Sequence, residues 1–289
     1  SVRAATDAVM SDYSNFSAHL FLANSYDVQR DPRRIQLRLE TAWFNELLLA
    51  NLLSPVNVGS LSQQVSNQEY SSLFAGKKSG VNLETAIFSH GEFRQRGTVY
   101  TVGDTTSVTV DLDYHRFDGY RENNDFERFE ADVKWKQRIS DKGTLYVDLQ
   151  FQDFDGGDLF LVQDPADGQA DFRFEEEQAP IVLGGYHHRW GPGVDTLILG
   201  GRLSDEVKVT DIQSPILVVT LDGTGAISSV NSIPLDVAYR SELEIYTVEM
   251  CQIFQKSGFT GVAGFRIQDG TFDTSNQLTK PPESLAPFF

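Results

Sequence analysis

The residues with the most chemical potential are carboxylates. Asp148, Asp153, Asp155 and Asp158 lie close together in sequence, and hydrolysis of a glycosidic bond needs two such groups flanking it. With 41 acidic residues in the chain, close pairs arise by chance, so a solvated surface is the expected role. Asp164-x-x-Asp167-Gly168-x-x-Asp171 gathers hard oxygens in a turn-rich stretch. Calcium favours such oxygens, but the spacing departs from the EF-hand pattern, and a hydrated acidic loop is expected there too. His187-His188 is the one histidine pair. Neighbours on a strand point to opposite faces and cannot chelate one metal together. His115 shares a face with Asp111 and Asp113 and is expected in a solvated patch. Cys251 has no histidine nearby in sequence and reads as a small packed residue. No G-x-S-x-G, H-E-x-x-H, P-loop or dinucleotide fingerprint occurs. The sequence therefore points to no catalytic residue, no enzyme activity and no cofactor.

A second set of polar residues is organised by periodicity. Val108, Val110, Leu112 and Tyr114 alternate with Thr109, Asp111, Asp113 and His115. Phe129, Ala131, Val133 and Trp135 alternate with Glu130, Asp132, Lys134 and Lys136. Leu145, Val147, Leu149 and Phe151 alternate with Tyr146, Asp148, Gln150 and Gln152. On strands, each such segment has one apolar and one charged face. If the apolar faces meet lipid, then Asp111, Asp113, Glu130, Asp132, Lys134, Lys136, Asp148 and Gln150 line a water-filled lumen. Arg94, Arg96 and Arg138 are placed to pair with the acids across strands. An acidic excess there implies a mild preference for cations.

The totals agree with a non-catalytic role. The formal charge of -17 over 289 residues disfavours binding to nucleic acid. One cysteine excludes an internal disulfide. No apolar run is long enough for a transmembrane helix, which leaves transmembrane strands untouched. The chain begins at Ser1 without Met, which suggests a processed or excised piece.

Along the chain, residues 1–79 read as a helical lead-in and junction. Helical spacing covers 15–26 and 41–53. Asp31-Pro32 reads as a helix start, and the Ser66/Glu69 capping box predicts a short helix over 67–74. Residues 80–289 read as nine strands, at 81–89, 93–102, 107–117, 126–138, 144–154, 177–190, 194–205, 237–255 and 259–269. Short connections at 103–106, 140–143, 191–193 and 256–258 fall on one rim. Long acidic ones at 118–125, 155–176 and 206–236 fall on the other. Trp135, Trp190, Phe254 and Phe259 sit near the first rim; Tyr114, Phe117, Phe151 and Phe154 sit near the second. Two aromatic belts suit a membrane's two interfaces. Arg94 and Arg96 share a face with Tyr100 and Val102, and Glu249 interrupts the face of Leu243, Ile245 and Ile253, so these faces fit lipid less well. Nine strands is an odd count, and the tail from Gly270 reads as a loop, so the barrel is expected to be incomplete. The fold class expected is mainly β: an antiparallel up-and-down barrel, or part of one, with a short helical segment.

His19-x-x-Leu22-Ala23-x-x-Tyr26 resembles the first helix of a tetratricopeptide repeat, with Ala8 where the preceding repeat would place a small residue. Tyr13 replaces that repeat's usual terminal proline. A helical lead-in of this kind before a barrel resembles bacterial outer-membrane proteins of the exopolysaccharide-export porin type. The resemblance implies an outer-membrane location, a periplasmic helical segment, and partners among membrane lipid, envelope polymer and periplasmic proteins. It carries over no catalytic motif. The contrasting reading is a soluble all-β domain that binds or acts on carbohydrate beneath a helical cap.

Overall fold

A computed structural model describes residues 2–27, 42–61, 79–160, 164 and 168–280. Its frame is one antiparallel sheet of nine strands in sequence order, so every strand pairs with its chain neighbours. The strands are β1 (Ser79–Ile87), β2 (Phe93–Val102), β3 (Thr106–Phe117), β4 (Phe126–Arg138), β5 (Gly143–Gly156), β6 (Arg173–Gly191), β7 (Val194–Leu221), β8 (Ile227–Lys256) and β9 (Phe259–Thr279). Every connection but that between β5 and β6, residues 157–172, is too short for a crossover, which leaves the up-and-down order. The sheet is not closed: β1 and β9 are its two edges.

Three helices accompany it: α1 (Val2–Ser11), α2 (Phe16–Asp27) and α3 (Ala42–Leu53), the last followed by a 3-10 turn over Val56–Val58. No helix among the described residues is long and apolar enough to cross a membrane. α3 packs on one face of the sheet, here called the inner face, with α2 against α3 and α1 against α2. α3 supplies Phe44, Leu48, Leu52 and Leu53 to a core shared with Ile181, Leu183, Leu197, Leu199, Leu203 and Ile253. Gly185 leaves room for this packing, because a Cβ there would come 2.3 Å from Leu52 Cδ2. The helical segment thus shares its core with the sheet. In the α1–α2 pair, Ala5, Val9, Ala18 and Leu22 make the contact, while Ala8 of the repeat-like pattern is exposed.

All nine expected strands are present, but one expected connection and the start of the expected tail are not loops. Residues 206–236 form most of a long hairpin, with β7 running to Leu221 and β8 starting at Ile227. The tail from Gly270 continues β9 to Thr279, paired with β8 as far as Asp236. Backbone pairing makes these strands despite side chains that lack a period-two pattern. α1 was not apparent in the sequence. The expected helix at 67–74 and the helix start at Asp31-Pro32 lie outside the described residues.

Candidate functional site

The sheet's two faces are reversed from the usual arrangement in β3, β4 and β5. Along β3, Ser107, Thr109, Asp111, Asp113 and His115 are buried, while Val108 and Val110 are partly exposed and Leu112 is exposed. Trp135 is 36%, Leu149 41% and Phe151 36% exposed on the outer face. Lys134, Lys136, Asp148, Gln150 and Gln152 are buried on the inner one. Strand alternation sets this division: Asp111, Asp132 and Gln150 are successive cross-strand partners, as are Val110, Val133 and Leu149.

The inner charges are organised into pairs, as burial of ions requires. Arg94 and Arg96 both reach Asp113, through Nε at 3.1 Å and 3.2 Å. Thr98 Oγ1 donates to Asp111 Oδ1 at 2.6 Å. Lys134 Nζ lies 3.8 Å from Asp111 Oδ2 and also bonds Asp132. Arg128 Nε is 3.3 Å from Glu130 Oε1. Tyr146 OH donates to Asp148 Oδ2 at 2.9 Å, and Gln150 Nε2 does so at 3.2 Å. Asp111, Asp113, Glu130, Asp132, Lys134, Lys136, Asp148 and Gln150 therefore share one face, most of them in small ion-pair and hydrogen-bond clusters. Tyr146 and Gln152, on the polar side of the β5 alternation, share this surface, as do Thr98 and Arg128, which were not singled out from the sequence. The even spacing of Thr98 with Arg94 and Arg96, and of Arg128 with Lys134, was the available signal.

Lys136 differs from the others in having backbone partners. Its side chain is fully buried. Nζ donates to Ser54 O at 3.2 Å and also to Ser54 Oγ, with Gly59 O at 3.4 Å. These oxygens follow the C-terminal end of α3, where unpaired carbonyls concentrate negative charge. Thr109 Oγ1 adds a bond to Ser60 O at 3.0 Å. Asn51 ties the segment to itself: its Oδ1 accepts from Leu61 N at 2.8 Å and its Nδ2 donates to Leu61 O at 3.2 Å. Residues 42–61 are thus seated on the sheet by an apolar side against β6–β8 and polar contacts against β3 and β4.

The helices collect at the rim of tight turns. Ser14 Oγ donates to Asp195 Oδ2 at 3.1 Å, and Gln255 Nε2 to Ser11 O at 3.3 Å. His187 on the inner face also reaches Asp195, at 2.9 Å. His188, on the outer face, bonds Tyr186 OH at 2.8 Å. His19 bridges α2 and α3 through Glu46 at 2.5 Å.

The opposite rim is tied by its own knot. Asp158 accepts from Phe160 N at 3.0 Å and Gln169 N at 2.9 Å, and Arg121 lies 2.9 Å away. Burial raises the Asp158 pKa, but the two backbone donors and Arg121 outweigh it and hold the carboxyl below its ordinary range. Asn123, in the left-handed region at φ 54°, donates to Gln169 O and Phe172 O. Phe117, Phe126, Phe154 and Phe174 pack together beside it. Phe117 and Phe154 therefore face inward, whereas Tyr114 and Phe151 are on the outer face. Likewise the faces of Arg94/Arg96 with Tyr100 and of Glu249 with Leu243, Ile245 and Ile253 are inner faces. Glu249 pairs there with Arg266 at 2.9 Å.

Of the acids considered for catalysis, only Asp153 and Asp155 share a face. Asp148 is on the inner face, Asp153 and Asp155 on the outer, and Asp158 in the knot. Of the calcium candidate, Asp164 and Asp171 are exposed, and Asp167 lies outside the described residues. Among the described residues no group of three His, Cys, Asp or Glu is placed to hold a metal ion. Cys251 lines the inner core beside α3. Comparison with family models and with curated proteins gives no match.

Proposed function

We propose that this chain forms part of an outer-membrane β-barrel whose outer face meets lipid, with a transport, export or surface role and no catalysis. The observation that carries the reading is the reversal across β3–β5. A soluble sheet with helices on one face buries its apolar side chains under them and turns its charges to water. Here Leu112, Val133, Trp135, Leu149 and Phe151 face out, and the ions face in. This is the alternation of strands that separate hydrocarbon from a polar interior. Among the described residues the edges of β1 and β9 have no partner strand, which supports a larger barrel. Unpaired backbone groups cost several kcal/mol each in lipid, and β1 and β9 run in the same direction, so they cannot close the ring as an antiparallel pair.

In this reading the tight-turn rim is periplasmic and the helices sit at that mouth. Residues 42–61 act as a plug resting on Lys136 and on the apolar seat of β6–β8. The polar wall of Asp111, Asp113, Lys134 and Asp148 lowers the cost of moving a hydrated solute or envelope polymer once the plug shifts. The test is partitioning and migration. A protein that needs detergent and migrates differently before and after boiling supports the reading. A monomer stable without detergent refutes it and leaves the soluble carbohydrate-binding alternative.

A further inference from the structure

Nine of the eleven arginines in residues 79–280 lie within ion-pair distance of a carboxylate. Arg138 and Arg189 make no such pair among the described residues, so the cross-strand pairing expected of Arg138 does not form. Both line one cavity of about 310 Å³ at the tight-turn rim, beside the end of α3. That volume is at the lower end of the range for small-ligand sites. In a chain of net charge -17, two uncommitted guanidinium groups at one cavity call for a reason.

Backbone bonds fix where they stand. Arg138 N donates to Thr105 O, and Arg189 N to Lys142 O, each at 2.8 Å. The turns at 103–105 and 139–142 are thereby tied to the ends of β4 and β6. Arg138 follows Lys136 on the inner side of β4, and Arg189 follows His187 on that of β6. Arg138, Thr144 and His187 are successive partners across the sheet. Arg189 stands opposite Asp195 in register, but that carboxylate already bonds Ser14 and His187. Lys142 gives the cavity a third cation, whose Nζ donates to Trp190 O at 3.4 Å.

We infer that this cavity binds a small soluble oxyanion of the phosphate monoester class, held by Arg138 and Arg189 with Lys142 beside them. Guanidinium groups present paired donors that match phosphate oxygens, and they keep their charge throughout the physiological pH range. Asp104 and Asp141 line the same cavity. Three cations therefore face two acids, a surplus that suits one small anion better than an acidic polymer. Leu53, Pro55 and Val56 supply apolar wall for a short ester group. The anion joins three parts of the fold: β4 through Arg138, β6 through Arg189, and the segment seated on the sheet through residues 55–57. The inference does not rest on the membrane reading, because the cavity lies on the inner side of the rim and the outer face takes no part in it.

The test is calorimetric titration of the full chain with inorganic phosphate and with glycerol phosphate, at constant ionic strength. Both should bind at one site per chain. Arg138→Gln and Arg189→Gln should each weaken binding at least about tenfold. Arg116→Gln removes an exposed arginine that pairs with Asp118 near the opposite rim, and it should leave binding unchanged. Asp104→Asn combined with Asp141→Asn should tighten binding, a gain that damage to the fold cannot imitate. Hydrogen exchange at Val56 and Asn57 should slow in saturating phosphate in the parent and not in Arg138→Gln. No binding of either probe, equal weakening by Arg116→Gln, weaker binding once the two acids are removed, or binding only to vesicles carrying phosphatidate would each overturn the inference.

Discussion

Replacing Leu149 with Arg separates lipid from water at the outer face. Leu149 is 41% exposed and sits between Val133 and Val182 of the neighbouring strands. The outer apolar row on β5 runs from Leu145 to Phe151, about 20 Å along the strand. At a tilt of about 40° that is about 15 Å of depth, with Leu149 about 3 Å from its centre. An arginine at such depth costs about 2–4 kcal/mol, or a roughly 30- to 800-fold fall in the folding constant. The same change on a water-exposed surface stays within about 0.5 kcal/mol. Ile139→Arg is the control, because Ile139 is 55% exposed in the β4–β5 turn. The assay is reversible urea unfolding of protein folded into lipid vesicles, comparing midpoints and slopes. Loss confined to Leu149→Arg is the expected result. If both variants stay within about 0.5 kcal/mol of the parent, the outer face does not meet hydrocarbon and the argument from its exposure fails.

Lys136→Met removes the amine held by Ser54 and Gly59. Leaving these buried oxygens without their donor costs about 1–3 kcal/mol, so hydrogen exchange over residues 51–61 should rise, and bilayer conductance with it. Gly185→Val forces a side chain against Leu52 and should destabilise the seat by about 1–3 kcal/mol, read as increased protease access to α3. The Asp158 knot should depend on pH. A carboxyl with a lowered folded-state pKa contributes stability above its ordinary unfolded value, 3.8, and loses it as pH falls through the folded value. Amide exchange at Phe160 and Gln169 should therefore accelerate below about pH 4. Asp158→Asn should already exchange quickly at neutral pH and lose that acid dependence.

How much of this was legible in the sequence depended on whether the determining contact was local. Alternation in β3, β4 and β5 is local, and it identified both the strands and the shared face of Asp111, Lys134 and Asp148. The end of the β7–β8 hairpin was read as an acidic loop because Asp205, Glu206 and Asp211 precede it and Ile216–Val219 has no alternation. Its extension is set by pairing with 227–235 across the turn, which side-chain periodicity does not record. β9 beyond Gly270 is mostly polar, with Phe272 and Leu278 the large apolar residues, and its extension is likewise set by pairing, here with β8. The seat for α3 had a signal that was passed over. Ile181-Val182-Leu183 and Leu197-Ile198-Leu199 are apolar on both faces, which marks strands covered on both sides. Lys136 was placed on the correct face, but its partners lie some eighty residues earlier, in a segment whose own pattern describes only a helix.

The knot at the long-loop rim has a consequence for recognition. Arg121 and Asn123 precede β4, while Phe160, Gln169 and Phe172 follow β5, yet hydrogen bonds fasten them side by side. An antibody docking there would read a conformational epitope assembled from two hairpins. Peptides copied from either hairpin alone would not display it, and selections made against them would miss the folded protein.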